Sequence, residues 1–313
     1  MRTDEIVVIG GGPAGVSAAF TARNRGASVT LIDEQSAIGG YLRWTLSVQR
    51  GLPPQLDGRR GFEVAEMGWN VLYDSGVNVQ LHSTAWGLFE DNVLGVVNPE
   101  SSYQLKADKV IVASGSTDAC VPFPGWELAG VMTARAALIA INVHRVLPGR
   151  RVALVGNGPE AAEVREAIET AGAEVVAHFS DIARFGAGGE GVVEWVTQGG
   201  ERINIDALVT VFGSQPDPAL PLQALAQTGY SELSGMHVPL RSATLETTSP
   251  GVYVVGDAGG LCSTAEASAE GRVAAEAAVE GDDLEQALEQ LSETRSVERA
   301  AELSRLRPAA AAS

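Results

Sequence analysis

Cysteine is nearly absent: the 313-residue chain carries two, Cys120 and Cys262. No CxxC or CxxxxC pair exists, so thiol–disulfide exchange, which needs an attacking thiolate and a resolving partner, is excluded. An iron–sulfur cluster held by this chain alone is excluded as well, because such clusters usually take four thiolates. Neither cysteine has a Cys or clustered His nearby to complete a metal-ligand set, so each reads as a small buried apolar residue. Basic residues are scarce too, 22 against 39 acidic ones, for a formal net charge of -17. Such a surface repels phosphate backbones and anionic lipid, which argues against nucleic-acid partners. No stretch approaches the roughly 20 apolar residues that span a bilayer. The N-terminus runs straight into a strand, so a cytoplasmic protein without a membrane span is expected. The four histidines, His82, His144, His178 and His237, lack a paired carboxylate at motif spacing, and no residue stands out as a general acid or base.

What is present is a 45% hydrophobic chain long enough for about two domains. Residues 5–9, EIVVI, predict a short buried strand; the Gly-rich turn after it opens a helix that stops at Gly26, and residues 27–33, ASVTLID, supply the next strand. The same order of strand, glycine turn, helix, Gly172 and strand recurs over residues 150–179, an internal repeat of one βαβ unit. Residues 106–116 and 203–217 read as matching strands of the two copies, and residues 250–260 as a strand and turn leading into an Ala-rich helix. Residues 1–118 with 248–285 are therefore expected to form one domain, with 119–247 inserted in it. Residues 286–313 would form a helix of mixed charge, read as a solvated face, and a frayed end, RPAAAAS.

Gly10, Gly12 and Gly15 fit GxGxxG, whose physical demands are a tight turn, close approach of backbone to a diphosphate, and close helix–strand packing. The helix dipole then faces the anion. Asp33 ends the second strand, where a carboxylate can accept from ribose hydroxyls, and Glu34 beside it could share that role. Asp257, in VYVVGDAGG, sits at a strand end where it can bind a polyol while the next helix, starting at Ser263 to Glu266, offers its positive end.

Taken together, IGGGPAG at 9–15, IGG at 38–40, VIVASGS at 110–116 and GVYVVGDAGG at 251–260 resemble the pyridine nucleotide-disulfide oxidoreductase superfamily at thioredoxin-reductase-like size. The resemblance spans nearly the whole chain. It implies an α/β fold of two Rossmann-like dinucleotide-binding domains of the thioredoxin-reductase and glutathione-reductase type, the second inserted in the first. It also implies FAD on the first fingerprint. By it, the diphosphate falls to Gly10, Gly12 and Gly15, the adenosine ribose to Asp33 and the ribityl chain to Asp257. Further contacts are implied at Pro13, Ala14, Glu34, Gly39, Gly40, Ala85, Ser114, Gly115, Gly256 and Glu266.

The second fingerprint, Gly156, Gly158 and Ala161, resembles the superfamily's NAD(P) site. The position matching Asp33 is Phe179, which can neither accept from a 2′-hydroxyl nor pair with a 2′-phosphate, so a degenerate site is expected. The alternatives are a retained structural domain or a bound adenine nucleotide. DEQSAIGGYLRW and PFPGWELAGVMTARAA are similar to one branch: the FAD subunit of hydrogen cyanide synthase, the A subunit of opine oxidases and subunits of dye-linked proline and hydroxyproline dehydrogenases. That similarity implies an electron-transferring subunit of a hetero-oligomeric amine or imino-acid dehydrogenase or oxidase. Its partners would be a glycine-oxidase-like catalytic subunit and a small ferredoxin-like [2Fe-2S] subunit. The competing expectations are a self-sufficient NAD(P)H-dependent FAD reductase of a ferredoxin or other small acceptor, and a non-enzymatic scaffold.

Overall fold

The computed structural model describes residues 2–307; the expected frayed end lies outside them apart from Arg307. The chain forms two compact units. The first takes the residues up to Arg43, Val48–Thr117, and everything from Gln215 onward; the second takes Trp44–Ser47 and Asp118–Ser214.

In the first unit, strands β1 (Arg2–Ile9), β2 (Val29–Ile32), β3 (Asn78–Gln80), β4 (Thr84–Phe89), β5 (Val93–Val97) and β6 (Ser102–Val112) lie in the order β3-β2-β1-β6-β5-β4. The β3-β2-β1-β6 part is parallel, the β6-β5-β4 part an antiparallel meander. Strand β6 serves both: Ser102 to Lys106 pair with β5, Leu105 to Val112 with β1, and Val110 to Val112 with the parallel strand Val252–Val254. Alternate residues of β1 enter opposite cores, Ile6 and Val8 one, Val7 and Ile9 the other, which is why the strand reads as an unbroken apolar run. Over one face pack helix α1 (Pro13–Asn24) and the helix Thr264–Ala278. Their alanines let the two approach so closely that a Cβ at Gly271 would lie 2.1 Å from the Ala14 carbonyl oxygen.

The return to the first unit falls at Gln215 rather than near residue 248. The segment after it belongs there because Leu220 packs in the core with Val7, Val110 and Leu88, and the Gln223 side chain accepts from the Leu88 N–H at 3.1 Å. The C-terminal segment is likewise part of this unit and is not one helix: Leu284–Thr294 buries Ala287 and Leu291, and Val297–Arg305 restarts where Ser296 caps the Arg299 N–H. Its charged face is solvated as expected, with Glu285, Glu289, Glu293, Glu298 and Arg305 exposed, but Arg299 turns inward and is buried. Cys120 differs from expectation in being exposed, whereas Cys262 packs, half-buried, against the core.

The second unit repeats the βαβ plan. A parallel sheet runs in the order Glu174–Phe179, Arg151–Gly156, Ala207–Val211, Val131–Thr133, with the helix Pro159–Thr170 on one face and the antiparallel strands Phe185–Gly188, Trp195–Gln198 and Glu201–Asn204 contributing the core on the other. The fold is thus α/β with two Rossmann-like units, the second inserted in the first. Among the described residues no helix is long and apolar enough to cross a membrane.

Candidate functional site

At the end of β1 the chain turns through Gly10, Gly11 and Gly12 into α1, and the reasons for its glycines differ. A Cβ at Gly10 would lie 2.2 Å from the Ala113 carbonyl oxygen and one at Gly15 1.8 Å from that of Gly10, so both are demanded by the protein's own packing. Gly12 is not. Its φ of -71° and ψ of -176° suit any residue, and a Cβ there would meet nothing within 4 Å. As the N-cap of α1, with Pro13 next, it also provides no side chain to cap the first-turn amides, which leaves the positive helix end open to an anion. The packing around it thus gives no reason for a glycine at this position.

The other elements converge on this turn. Asp33, 8% exposed, accepts from the Gly11 N–H (2.6 Å) with Oδ2 and from the Gln35 N–H (2.8 Å) with Oδ1. Burial pushes its carboxyl upward and the two N–H donors pull it back. Glu34 faces solvent and takes only the Gln35 amide, so Asp33 alone of the two acids joins the turn. The Gly39 N–H donates to the Gly11 carbonyl (2.7 Å), and a Cβ at Gly40 would approach Gly12 Cα at 3.0 Å, so the 38–40 loop stacks on the first turn. Ala14 is buried beneath, where a Cβ on Gly256 would come within 3.0 Å of its own. Ser114 Oγ donates to the Asp217 carbonyl (3.0 Å), and Gly115 opens onto free space. Asp257 Oδ2 accepts from Ser116 Oγ (2.9 Å) and Oδ1 from the Cys262 N–H (3.0 Å), while burial, and then the Glu270 and Asp257 charges, push the Cys262 thiol well up. Ala85 is half-buried against the meander core, two residues beyond Ser83, whose N–H binds the Asp33 carbonyl.

Glu266 spends its side chain on the protein interior. Its backbone N–H is capped by Ser263, but its carboxylate turns inward, 2% exposed, to Arg295 (2.9 Å) and Arg299 (2.6 Å). Those arginines lie 29 and 33 residues away, so no local pattern could have revealed them.

The second fingerprint keeps its backbone but not its chemistry. A Cβ at Gly156 would lie 1.8 Å from the Val211 carbonyl oxygen, Gly158 faces open space, and Ala161 is buried. Phe179, however, packs its ring 5.1 Å from Phe185, His178 Nε2 lies 2.8 Å from the Gly156 carbonyl oxygen, and Asn157 donates to the Ser180 carbonyl. Glu160 occupies the first turn of Pro159–Thr170, where a diphosphate would bind. Burial, and then the charge of Asp118, push its carboxyl above the ordinary range against the pull of Arg135. A raised carboxyl contributes stability that is full below its unfolded value and lost as pH rises through the folded one. Glu160→Gln is therefore expected to melt with the parent below about pH 4 and above it at about pH 8; a lower melting temperature at the higher pH would contradict this. At the positions where a pyridine nucleotide's ribose and diphosphate would be met stand the Phe179 ring and the Glu160 side chain. Among the described residues no group of His, Cys, Asp and Glu could hold a metal ion.

Two βαβ units, each with a strand–glycine turn–helix element, define a protein of the dinucleotide-binding fold class. Residues 4–187 match the pyridine nucleotide-disulphide oxidoreductase family, and the chain belongs to it: an oxidoreductase of the flavoprotein class. It is 27% identical to the A subunit of opine oxidase from Agrobacterium tumefaciens (strain Ach5) over 88% of its own length, spanning 65% of that protein. Hydrogen cyanide synthase subunit HcnB of Pseudomonas protegens is 31% identical over 49% of this chain and 33% of its own. The crystal structure of L-proline dehydrogenase from P. horikoshii superimposes with a TM-score of 0.83 at 25% identity, over 93% of this chain and 59% of that one.

Proposed function

We propose that the first unit binds FAD and that the chain is the electron-transferring flavin subunit of a hetero-oligomeric amine or imino-acid dehydrogenase or oxidase, of the proline, hydroxyproline, glycine or opine type. The observation that carries the FAD assignment is Gly12, a glycine the protein itself does not need, at the uncapped end of α1. There the first-turn amides receive the diphosphate, Asp33 takes ribose hydroxyls and Asp257 the ribityl chain, with Ala14, Gly39, Gly40, Ser114, Gly115 and Gly256 shaping the walls. When bound, FAD supplies reversible two-electron chemistry; the protein supplies position and electrostatics, which accounts for the lack of an acid–base constellation.

The relatives' names support a subunit role, since the opine oxidase and hydrogen cyanide synthase chains are each one subunit of a larger enzyme. A glycine-oxidase-like partner would oxidise the amine, and a small ferredoxin-like [2Fe-2S] partner would accept electrons. The stand-alone NAD(P)H-dependent reductase needs the second fingerprint to work, and Phe179 and Glu160 count against it.

Titrating the apo chain with FAD and with FMN tests the cofactor assignment. One FAD per chain is expected, at a Kd tighter than about 1 μM, with FMN far weaker because it lacks the diphosphate and ribose that Gly12 and Asp33 serve. Equal affinity for both would overturn the assignment.

A further inference from the structure

Behind the turn that carries Asp257, five charged side chains meet in the interior of the first unit. Glu270 is fully buried, Glu266 is 2% and Arg299 4% exposed, and Arg241 and Arg295 complete the group. Glu270 Oε2 accepts from Arg241 Nη1 (2.8 Å) and from the Gly256 N–H (2.8 Å), while Oε1 accepts from Arg295 Nη2 (3.0 Å) and Arg299 Nη2 (3.5 Å). Arg241 also donates to the carbonyls of Val254 (2.9 Å) and Gly259 (3.1 Å). Arg299 donates through Nε to Glu266 (2.6 Å) and through Nη1 to the Leu261 carbonyl (2.7 Å).

Backbone groups of residues 254, 256, 259 and 261 are thus held by charged side chains from three separate stretches of sequence. The turn is threaded between guanidinium groups closely enough that a Cβ at Gly259 would come within 2.4 Å of Arg241, and one at Gly260 within 3.0 Å of Arg299. One residue past Leu261 lies Cys262, whose N–H fixes Asp257 Oδ1. Arg299 is the outermost member in sequence, on the short helix Val297–Arg305, which buries little else.

Resting on the flavin reading, we propose that Arg299 is a positioning residue for the cofactor: the helix Val297–Arg305 uses it to latch the 256–262 turn and so set the Asp257 carboxylate that grips FAD. Holding Glu266, Glu270 and the Leu261 carbonyl at once requires the planar, many-donor guanidinium; an ammonium at the same place can satisfy at most part of the set. A lone role in holding the helix down would stabilise the fold without changing the grip on FAD.

The test uses the full chain, with Arg299→Ala and Arg299→Lys beside the parent, measuring FAD Kd well below each melting temperature and the visible circular dichroism of the bound flavin. The expected result is a Kd weakened roughly tenfold or more in Arg299→Ala, the size of a lost charge-assisted hydrogen bond, incomplete recovery in Arg299→Lys, and a changed flavin dichroism in both. Arg295→Gln, at a more exposed edge of the cluster, provides a milder variant should Arg299→Ala fail to fold, and is expected to weaken FAD by a smaller factor through Glu270. Variants that melt lower yet bind FAD with parental affinity and dichroism would overturn the latch while leaving the flavin reading intact. A parent chain that binds no FAD would overturn both.

Discussion

Replacing Glu270 with alanine lowers folding stability by about 3–5 kcal/mol, the expected size for removing one partner from a buried ionic network. Arg241 would lose its carboxylate partner, Arg295 and Arg299 would each keep Glu266 alone, and the Gly256 N–H would be left without an acceptor. Burial alone would push the Glu270 carboxyl up; the charges of Arg241, Arg299 and Arg295 overcome it and hold the carboxyl below its ordinary range. A depressed carboxyl contributes stability that is present above its unfolded value and lost as pH falls through the folded one. The deficit of the variant against the parent should therefore be full at neutral pH and shrink on acidification, measured by urea unfolding across pH. A deficit that grew as pH fell would contradict the assignment of the ionised form.

The second large effect separates two glycines of the same turn. Gly12→Val should leave the apo chain's stability within about 0.5 kcal/mol, as for a surface substitution, because its backbone angles suit a side chain and a Cβ there has nothing within 4 Å. FAD affinity should nonetheless fall roughly a hundredfold or more, about 2.7 kcal/mol, since the side chain would stand where the diphosphate meets the helix end. Gly15→Ala should do the reverse in order of cause: its Cβ would lie 1.8 Å from the Gly10 carbonyl oxygen, so the apo chain itself loses about 1–3 kcal/mol or more to overpacking. Apo melting curves and FAD titrations of the two variants distinguish the cases. If Gly12→Val bound FAD as the parent does, the open face would not be the diphosphate site.

The parts that were legible in the sequence are those whose physics is local. The EIVVI run announces a strand because both faces of β1 are buried; Gly10 and Gly15 announce the turn because close backbone approach there admits no side chain. The second copy was legible by the same signals, and so was the aromatic residue at its end, because Phe179 falls at the spacing of Asp33. The obstacle at Glu160 was not, for nothing in GNGPEA says that Asp118 lies near it. The return of the chain at Gln215 depends on Leu220 and Gln223 meeting residues of β1, β4 and β6 far away in sequence. The ion pairs of the Glu266 side chain were illegible for the same kind of reason. Its position at a helix start is a local fact, whereas its orientation is decided by two arginines on segments with no periodic or motif relation to it.

The most direct test of the electron-relay role is anaerobic stopped-flow mixing of the FAD-loaded chain with NADH and with NADPH, following the flavin absorbance band. A relay predicts no bleaching by either nucleotide, and reduction only when a glycine-oxidase-like partner and an amine such as proline are present. Rapid bleaching of the lone chain by NADH or NADPH would contradict it and make this a self-sufficient reductase.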